Sequence, residues 1–221
     1  MTRRRYDQAC SLAGALDRIG ERWSLLIVRE LLLGPVRFSE LARDVGGAPT
    51  DVLTKRLREL EEAGVVRRRE LPPPASATAY ELTEVGRELE RPLIELGRWG
   101  LNFHDAASVE ELSPTSLPNA LRVILRPPRD AELTLRLLTG GREYRLRLED
   151  GWIDARRGEA VDADLTLRGS PFDVLATLVA DDSEPRAEVE GDLGALERLR
   201  AMVSIPEELR QGALAHVAAA T

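Results

Sequence analysis

The sequence predicts an α+β chain of two domains, a helical N-terminal half closed by a small β-ribbon and a C-terminal half in which an antiparallel sheet carries packed helices. Three observations lead there. Between residues 10 and 62 apolar side chains recur at helical spacing in four runs, broken at Gly20, Gly34-Pro35 and Gly46-Gly47. The segment ELTLRLLTGGREYRLRLEDG alternates apolar and polar residues on both sides of Gly140-Gly141, the signature of a hairpin. Between them lies a Ser- and Pro-rich stretch of little periodicity. It divides the chain into a domain at 1–105, a linker at 106–120 and a domain at 121–221, sizes that suit 221 residues.

The first run, Cys10 to Ile19, places Leu12, Ala13, Leu16 and Ile19 along one helix. Trp23 to Leu33 is too apolar to expose a wide face and reads as a core helix. Phe38 to Val45 turns Phe38, Leu41 and Val45 inward, and Gly46-Gly47 supplies the tight turn to the next helix. In that helix Leu53, Leu57 and Leu60 point one way, while Asp51, Thr54, Lys55 and Arg58 point the other. Ala63-Gly64 stops it, and Val65-Val66 followed by Arg67, Arg68 and Arg69 opens a strand. A proline-rich loop at 72–77 returns as a second strand at Ala79 to Leu82, making a ribbon. Thr83 then caps a long helix carrying Val85, Leu89, Leu93 and Leu96, bent at Pro92 and continuing past Trp99 to Phe103. In the second half the hairpin faces Leu133, Leu135 and Leu137 toward Tyr144, Leu146 and Leu148. Strands follow at Trp152–Ala155, Asp164–Leu167 and Ala187–Glu190, with helices at Pro171–Ala180 and Leu193–Val203.

Composition narrows the function classes. With 43% hydrophobic and 31% charged residues the chain is globular, and no apolar run reaches the roughly 20 residues of a membrane span. The N-terminus MTRRRYDQAC lacks the apolar core of a signal peptide, and Cys10 is the single cysteine, so a cytoplasmic chain without membrane association is expected. The net charge of −7 is unevenly spread: residues 1–105 balance to zero, and the acidity lies in the remainder. Phosphate binding depends on local cations, so this total does not exclude nucleic acid. Catalysis finds little support. His104 and His216 lack metal-ligand spacing, Cys10 has no histidine near it in sequence, and Gly140-Gly141 is a hairpin turn rather than a phosphate loop. No enzyme and no cofactor are expected.

Four ordered blocks of the first half resemble the HxlR family of bacterial transcriptional regulators: Cys10, GERWSLLIVRELLLGPVRFSEL, LTKRLRELEEAGVVRR and YELTEVGREL. The resemblance implies a homodimeric winged helix-turn-helix protein that binds a DNA operator, with the long helix used for dimerisation. Pro49-Thr50 stands where that family usually has a Ser-Pro pair opening the recognition helix. In residues 121–203 the segments YRLRLEDGWIDARRG, DADLTLRGS, PFDVLATLVAD and VEGDLGALERL resemble the sterol-carrier-protein fold. That resemblance implies an apolar cavity for a lipid or another small hydrophobic molecule.

The candidate DNA-binding residues are therefore Arg37, Thr50, Asp51, Thr54, Lys55, Arg58, Arg67 and Arg69. Arg or Lys can take guanine acceptors in the major groove, and Thr can reach a base edge or a thymine methyl. An ordinary solvated helix with i,i+4 pairs such as Asp51 to Lys55 fits the same face. Arg67 and Arg69 share one face of their strand, so one or two of the three arginines meet phosphate. Leu175, Leu178, Leu196, Leu199 and Met202 either line a ligand cavity or fill a closed core. Trp99 and Phe103 suit either a dimer interface or packing within the chain. Cys10 is a possible redox site by the family resemblance, with a small buried hydrophobe as its alternative. The reading that unites these is a homodimeric, sequence-specific transcriptional regulator modulated by a hydrophobic ligand. The rival is a lipid carrier whose first domain serves for dimerisation.

Overall fold

The computed structural model describes residues 6–72, 77–103, 113–180 and 184–211. The chain divides into two units, Met1–Leu93 and Ile94–Thr221.

In the first unit, α1 (Ser11–Ile19), α2 (Ser24–Leu31), α3 (Phe38–Val45) and α4 (Thr50–Glu62) follow the four apolar runs. Ile27, Val28 and Leu31 of α2, Leu41 of α3 and the three leucines of α4 join Val66 and Leu82 in one buried core. The apolar excess of α2 is thereby explained, because its side chains meet helices on one side and the ribbon on the other. The ribbon is β2 (Val66–Glu70) with β3 (Thr78–Leu82), and a two-residue β1 (Val36–Arg37) adds to its far edge in the order β1-β3-β2. So short a strand carries no period of its own and leaves no signal in the sequence.

One long helix bent at Pro92 is replaced by two: α5 (Glu84–Arg87) and α6 (Glu90–Gly100). Pro92 has no N–H to give the carbonyl of Glu88, so the ladder breaks one turn before the proline instead of bending at it. Thr83 caps α5 as its sequence suggests. Its hydroxyl accepts from the Gly86 N–H at 3.0 Å and donates to the Gly64 carbonyl at 2.6 Å, tying the start of α5 to the turn after α4. Gly86 is buried against the same turn, where a Cβ would strike the Val65 carbonyl oxygen.

In the second unit, a five-stranded sheet has the order β6-β5-β4-β7-β8. Its strands are β4 (Leu133–Thr139), β5 (Arg142–Glu149), β6 (Trp152–Arg157), β7 (Leu165–Arg168) and β8 (Glu188–Gly191). The hairpin register pairs Leu133 with Leu148, Leu135 with Leu146 and Leu137 with Tyr144, as the alternation requires. The sheet is mixed rather than antiparallel throughout, because β7 runs parallel to β4. After β6 the chain returns to the opposite side of β4, a crossover that local alternation cannot reveal.

The stretch assigned to a linker ends in structure. Residues 104–112 lie outside the described residues, but Ser116–Ile124 forms α7, with Leu117 and Leu121 fully buried. Pro118, a linker signal by composition, occupies the first turn of α7, where a missing N–H costs no hydrogen bond. The Arg98 guanidinium donates to the carbonyls of Val123, Arg122 and Leu125 at 3.3–3.4 Å, satisfying the last turn of α7. Helices α8 (Pro171–Val179) and α9 (Leu193–Ala201) complete the unit, α8 opening with a reciprocal Ser170–Asp173 capping box.

Two glycines of the first unit should respond oppositely to a methyl group. Gly86→Ala is expected to lower the unfolding free energy by about 1–3 kcal/mol, because the blocking atom is backbone. Gly14→Ala, in open space on α1, is expected to raise it by about 0.5–1 kcal/mol. Urea titrations of both variants measure the difference.

Candidate nucleic-acid interface

The polar face of α4 is aimed by what lies behind and before it. Leu53, Leu57 and Leu60 are 0–1% exposed, so the helix cannot roll without burying charge. Gly46 and Gly47 make the turn from α3 with φ of 63° and 66°, a conformation that costs glycine nothing. On the flank, Arg56 is nearly buried and joins Glu21 at 2.9 Å and Glu59, pinning α4 to the loop between α1 and α2. Periodicity alone assigned Arg56 no role.

Thr50, Asp51, Thr54, Lys55 and Arg58 line one shallow surface hollow together with Glu59 and Glu62. The structure thus gathers the five candidate residues of α4, and adds two acids that the sequence reading did not include. The Thr54 hydroxyl donates to the Thr50 carbonyl at 2.8 Å and keeps its acceptor capacity. Lys55 lies 3.9 Å from Glu59, so the i,i+4 partner is Glu59 rather than Asp51. Asp51 joins no ion pair among the described residues. Arg58 is exposed and likewise pairs with no acid among them.

The ribbon is less free than its three arginines suggest. Arg67 Nε donates to Glu81 Oε1 at 2.8 Å, and Arg69 Nη1 donates to Glu81 Oε2 at 3.1 Å. Glu81 faces Arg67 directly across the β2–β3 ladder. Arg68 turns to the other face, where it meets Glu61 at 3.0 Å and lies 5.7 Å over the Tyr80 ring. Arg37 is half-buried and sits opposite Ala79, as Arg69 does from the other side, so both flank one row of the sheet. Burial pushes the Glu81 carboxyl up, but the hydrogen bonds from Arg69 and Arg67 outweigh it and hold the group below the ordinary glutamate value. Sequence reasoning missed Glu81 because its partners become visible only once the register is known.

The remaining candidates fall elsewhere. Cys10 is exposed at the start of α1, which removes the buried-hydrophobe alternative within this chain. Leu178, Leu196 and Leu199 are buried, whereas Leu175 and Met202 are half-buried. Trp99 and Phe103 are both exposed and pack edge to face with centroids 4.7 Å apart. His104 and His216 lie outside the described residues. Among the described residues no three His, Cys, Asp or Glu side chains gather as a metal site, and no helix is long and apolar enough to cross a membrane.

Residues 18–108 match the HxlR-like helix-turn-helix family, and the chain belongs to that family. YtcD of Bacillus subtilis, an HTH-type transcriptional regulator, is 38% identical over 51% of this chain and 92% of its own length. A regulator of the same type from Mycobacterium tuberculosis is 42% identical over 41% of this chain and 56% of its own, so the chain spans little more than half of that relative. The solved reduced form of the transcriptional regulator YodB from B. subtilis is 32% identical, covering 43% of this chain and 94% of that one with a TM-score of 0.39.

The buried carboxylate has a pH consequence. Because its folded value is depressed, Glu81 contributes stability above the unfolded glutamate value of about 4.3 and loses it as pH falls through the lower folded value. Urea unfolding at stepped pH should therefore give a shallower acid decline for Glu81→Gln than for the native chain. Equal declines would remove Glu81 from the account.

Proposed function

We propose that this chain is a homodimeric, sequence-specific DNA-binding transcriptional regulator. The observation that carries the reading is the outward face of α4, where Thr50, Asp51, Thr54, Lys55 and Arg58 stand together over a buried leucine seam. An α-helix fits the major groove of B-DNA, and a face of this chemistry can read base edges there. Arg58, unpaired among the described residues, is the side chain best suited to donate two hydrogen bonds to guanine O6 and N7. Thr50 and Thr54 offer hydroxyls and methyls to neighbouring bases, and Asp51 can accept from a cytosine amino group. Arg67, Arg69 and Arg37 supply phosphate contacts that orient the domain.

A single recognition helix makes too few contacts for operator affinity, so two copies reading half-sites about one helical turn apart are required. Exposed apolar side chains support self-association: Leu12 and Leu16 on α1, and Leu96, Trp99 and Phe103 in and after α6. In the second unit, Leu175 of α8 and Met202 at the end of α9 are half-buried while Leu178, Leu196 and Leu199 are buried, and Leu175 and Met202 would be the accessible part of a site for a small hydrophobic molecule. Such a ligand acts on DNA binding only if it prefers one of two dimer states.

Selection from random duplexes, followed by anisotropy titration, tests the first reading. Arg58→Ala is expected to lower discrimination against a single-base variant of the selected operator by about 1–3 kcal/mol, with the fold intact. Unchanged discrimination would overturn the assignment of Arg58. Native mass spectrometry of the full chain from its own host, with and without operator, is expected to give a dimer carrying a hydrophobic adduct whose occupancy changes with DNA. A bare dimer of unchanged mass would remove the ligand from the proposal.

A further inference from the structure

We propose that Glu81 is a specificity-determining residue of the wing, whose carboxylate restrains Arg67 and Arg69 and so weakens sequence-independent attraction to phosphate. The inference rests on the DNA-binding reading above.

Each carboxylate oxygen of Glu81 takes one arginine, Oε1 from Arg67 and Oε2 from Arg69. The Glu81 side chain is 5% exposed, while those of Arg67 and Arg69 are 64% and 51% exposed. This asymmetry sets what can move. The arginines can swing into solvent, but the carboxylate stays on the sheet surface beneath them, and a buried carboxylate stripped of its partners is strongly unfavourable. Both arginines are therefore restrained from leaving Glu81 to follow a phosphate. Each guanidinium has five N–H donors and uses only some of them on the carboxylate, so a phosphate can be met from the outer edge while the inner bond stays intact.

Two consequences follow for DNA. The local charge of this patch is one positive unit instead of two, so fewer counterions leave when any duplex approaches. The guanidiniums also hold fixed positions, so only a phosphate path of matching geometry collects both contacts. A non-specific duplex, free to slide, gains from mobile cations; a docked operator gains from fixed ones. Glu81 thus penalises the non-specific complex more than the specific one, and leaves discrimination to α4.

The test uses the full chain with its selected operator and a scrambled duplex of the same length, titrated over a range of salt. Glu81→Gln keeps the shape and one oxygen acceptor but removes the charge. The expected result is tighter binding to the scrambled duplex by about 3- to 10-fold, a salt slope steeper by about one counterion, and a smaller gain on the operator, so that the specificity ratio falls. Adding Arg67→Gln and Arg69→Gln to that variant should abolish the gain. Binding by Glu81→Gln that is unchanged or weaker on the scrambled duplex, or an unchanged ratio, would overturn the proposal. Should that variant fail to fold, Arg67→Gln alone decides: a shared cation lowers the slope by clearly less than the roughly 0.9 of a free one, and a full change overturns the restraint. A native chain that binds neither duplex at any salt overturns the DNA reading itself, and the present inference with it.

Discussion

The first unit depends on the seam that Leu53, Leu57 and Leu60 make with α2 and α3. Three fully buried leucines on one helix face contribute several kcal/mol through burial alone, at about 1.5–3 kcal/mol each. Rolling α4 by one residue, about 100°, would exchange these leucines for charged neighbours such as Arg58, at a cost no surface contact could return. The outward face is thus a by-product of core packing. The orientation of that face is held by hydrophobic contacts on the far side of the helix and by the Gly46-Gly47 turn that delivers it.

Charge in the first unit is organised more locally than the zero balance of residues 1–105 suggests. Arg56, Arg67, Arg68 and Arg69 all have carboxylate partners within the chain, and Lys55 has one at the limit of an ion pair. Most of these pairs are exposed on the arginine side, where each contributes little to stability. Glu81 differs because its own side chain is buried, so the pair matters to the acid more than to the base. The result, among the described residues, is a ribbon and an α4 flank whose cations are mostly held, with Arg58 standing apart on the outward face of α4.

Much of the fold was legible in the sequence, and the failures share a cause. The four helices, the ribbon, the β4–β5 register and the Thr83 cap all follow from periodicity, turn residues and local side-chain chemistry, which act within a few positions. The two-residue β1, the parallel β4–β7 pair and the Arg67–Glu81–Arg69 cluster depend on partners distant in sequence, and no local pattern encodes them. Prolines misled in both directions. Pro92 signals a bend but the helix is interrupted a turn earlier, and Pro118 sits in a stretch with the composition of a linker although the first turn of α7 accommodates it. On the candidate site, the polar face of α4 could be named from spacing, whereas the acids paired with the candidate cations, Glu59 with Lys55 and Glu81 on β3 with Arg67 and Arg69, required the structure.

That division between what spacing reveals and what pairing reveals maps onto the two roles proposed for these side chains. Side chains that discriminate must keep their donors and acceptors unspent until the partner arrives, because a hydrogen bond already satisfied within the chain adds little when exchanged for another. Arg58 and Asp51 meet this condition. Side chains that orient can instead be partly committed, since a fixed cation still attracts phosphate while losing less freedom on binding. Arg67 and Arg69 meet that second condition.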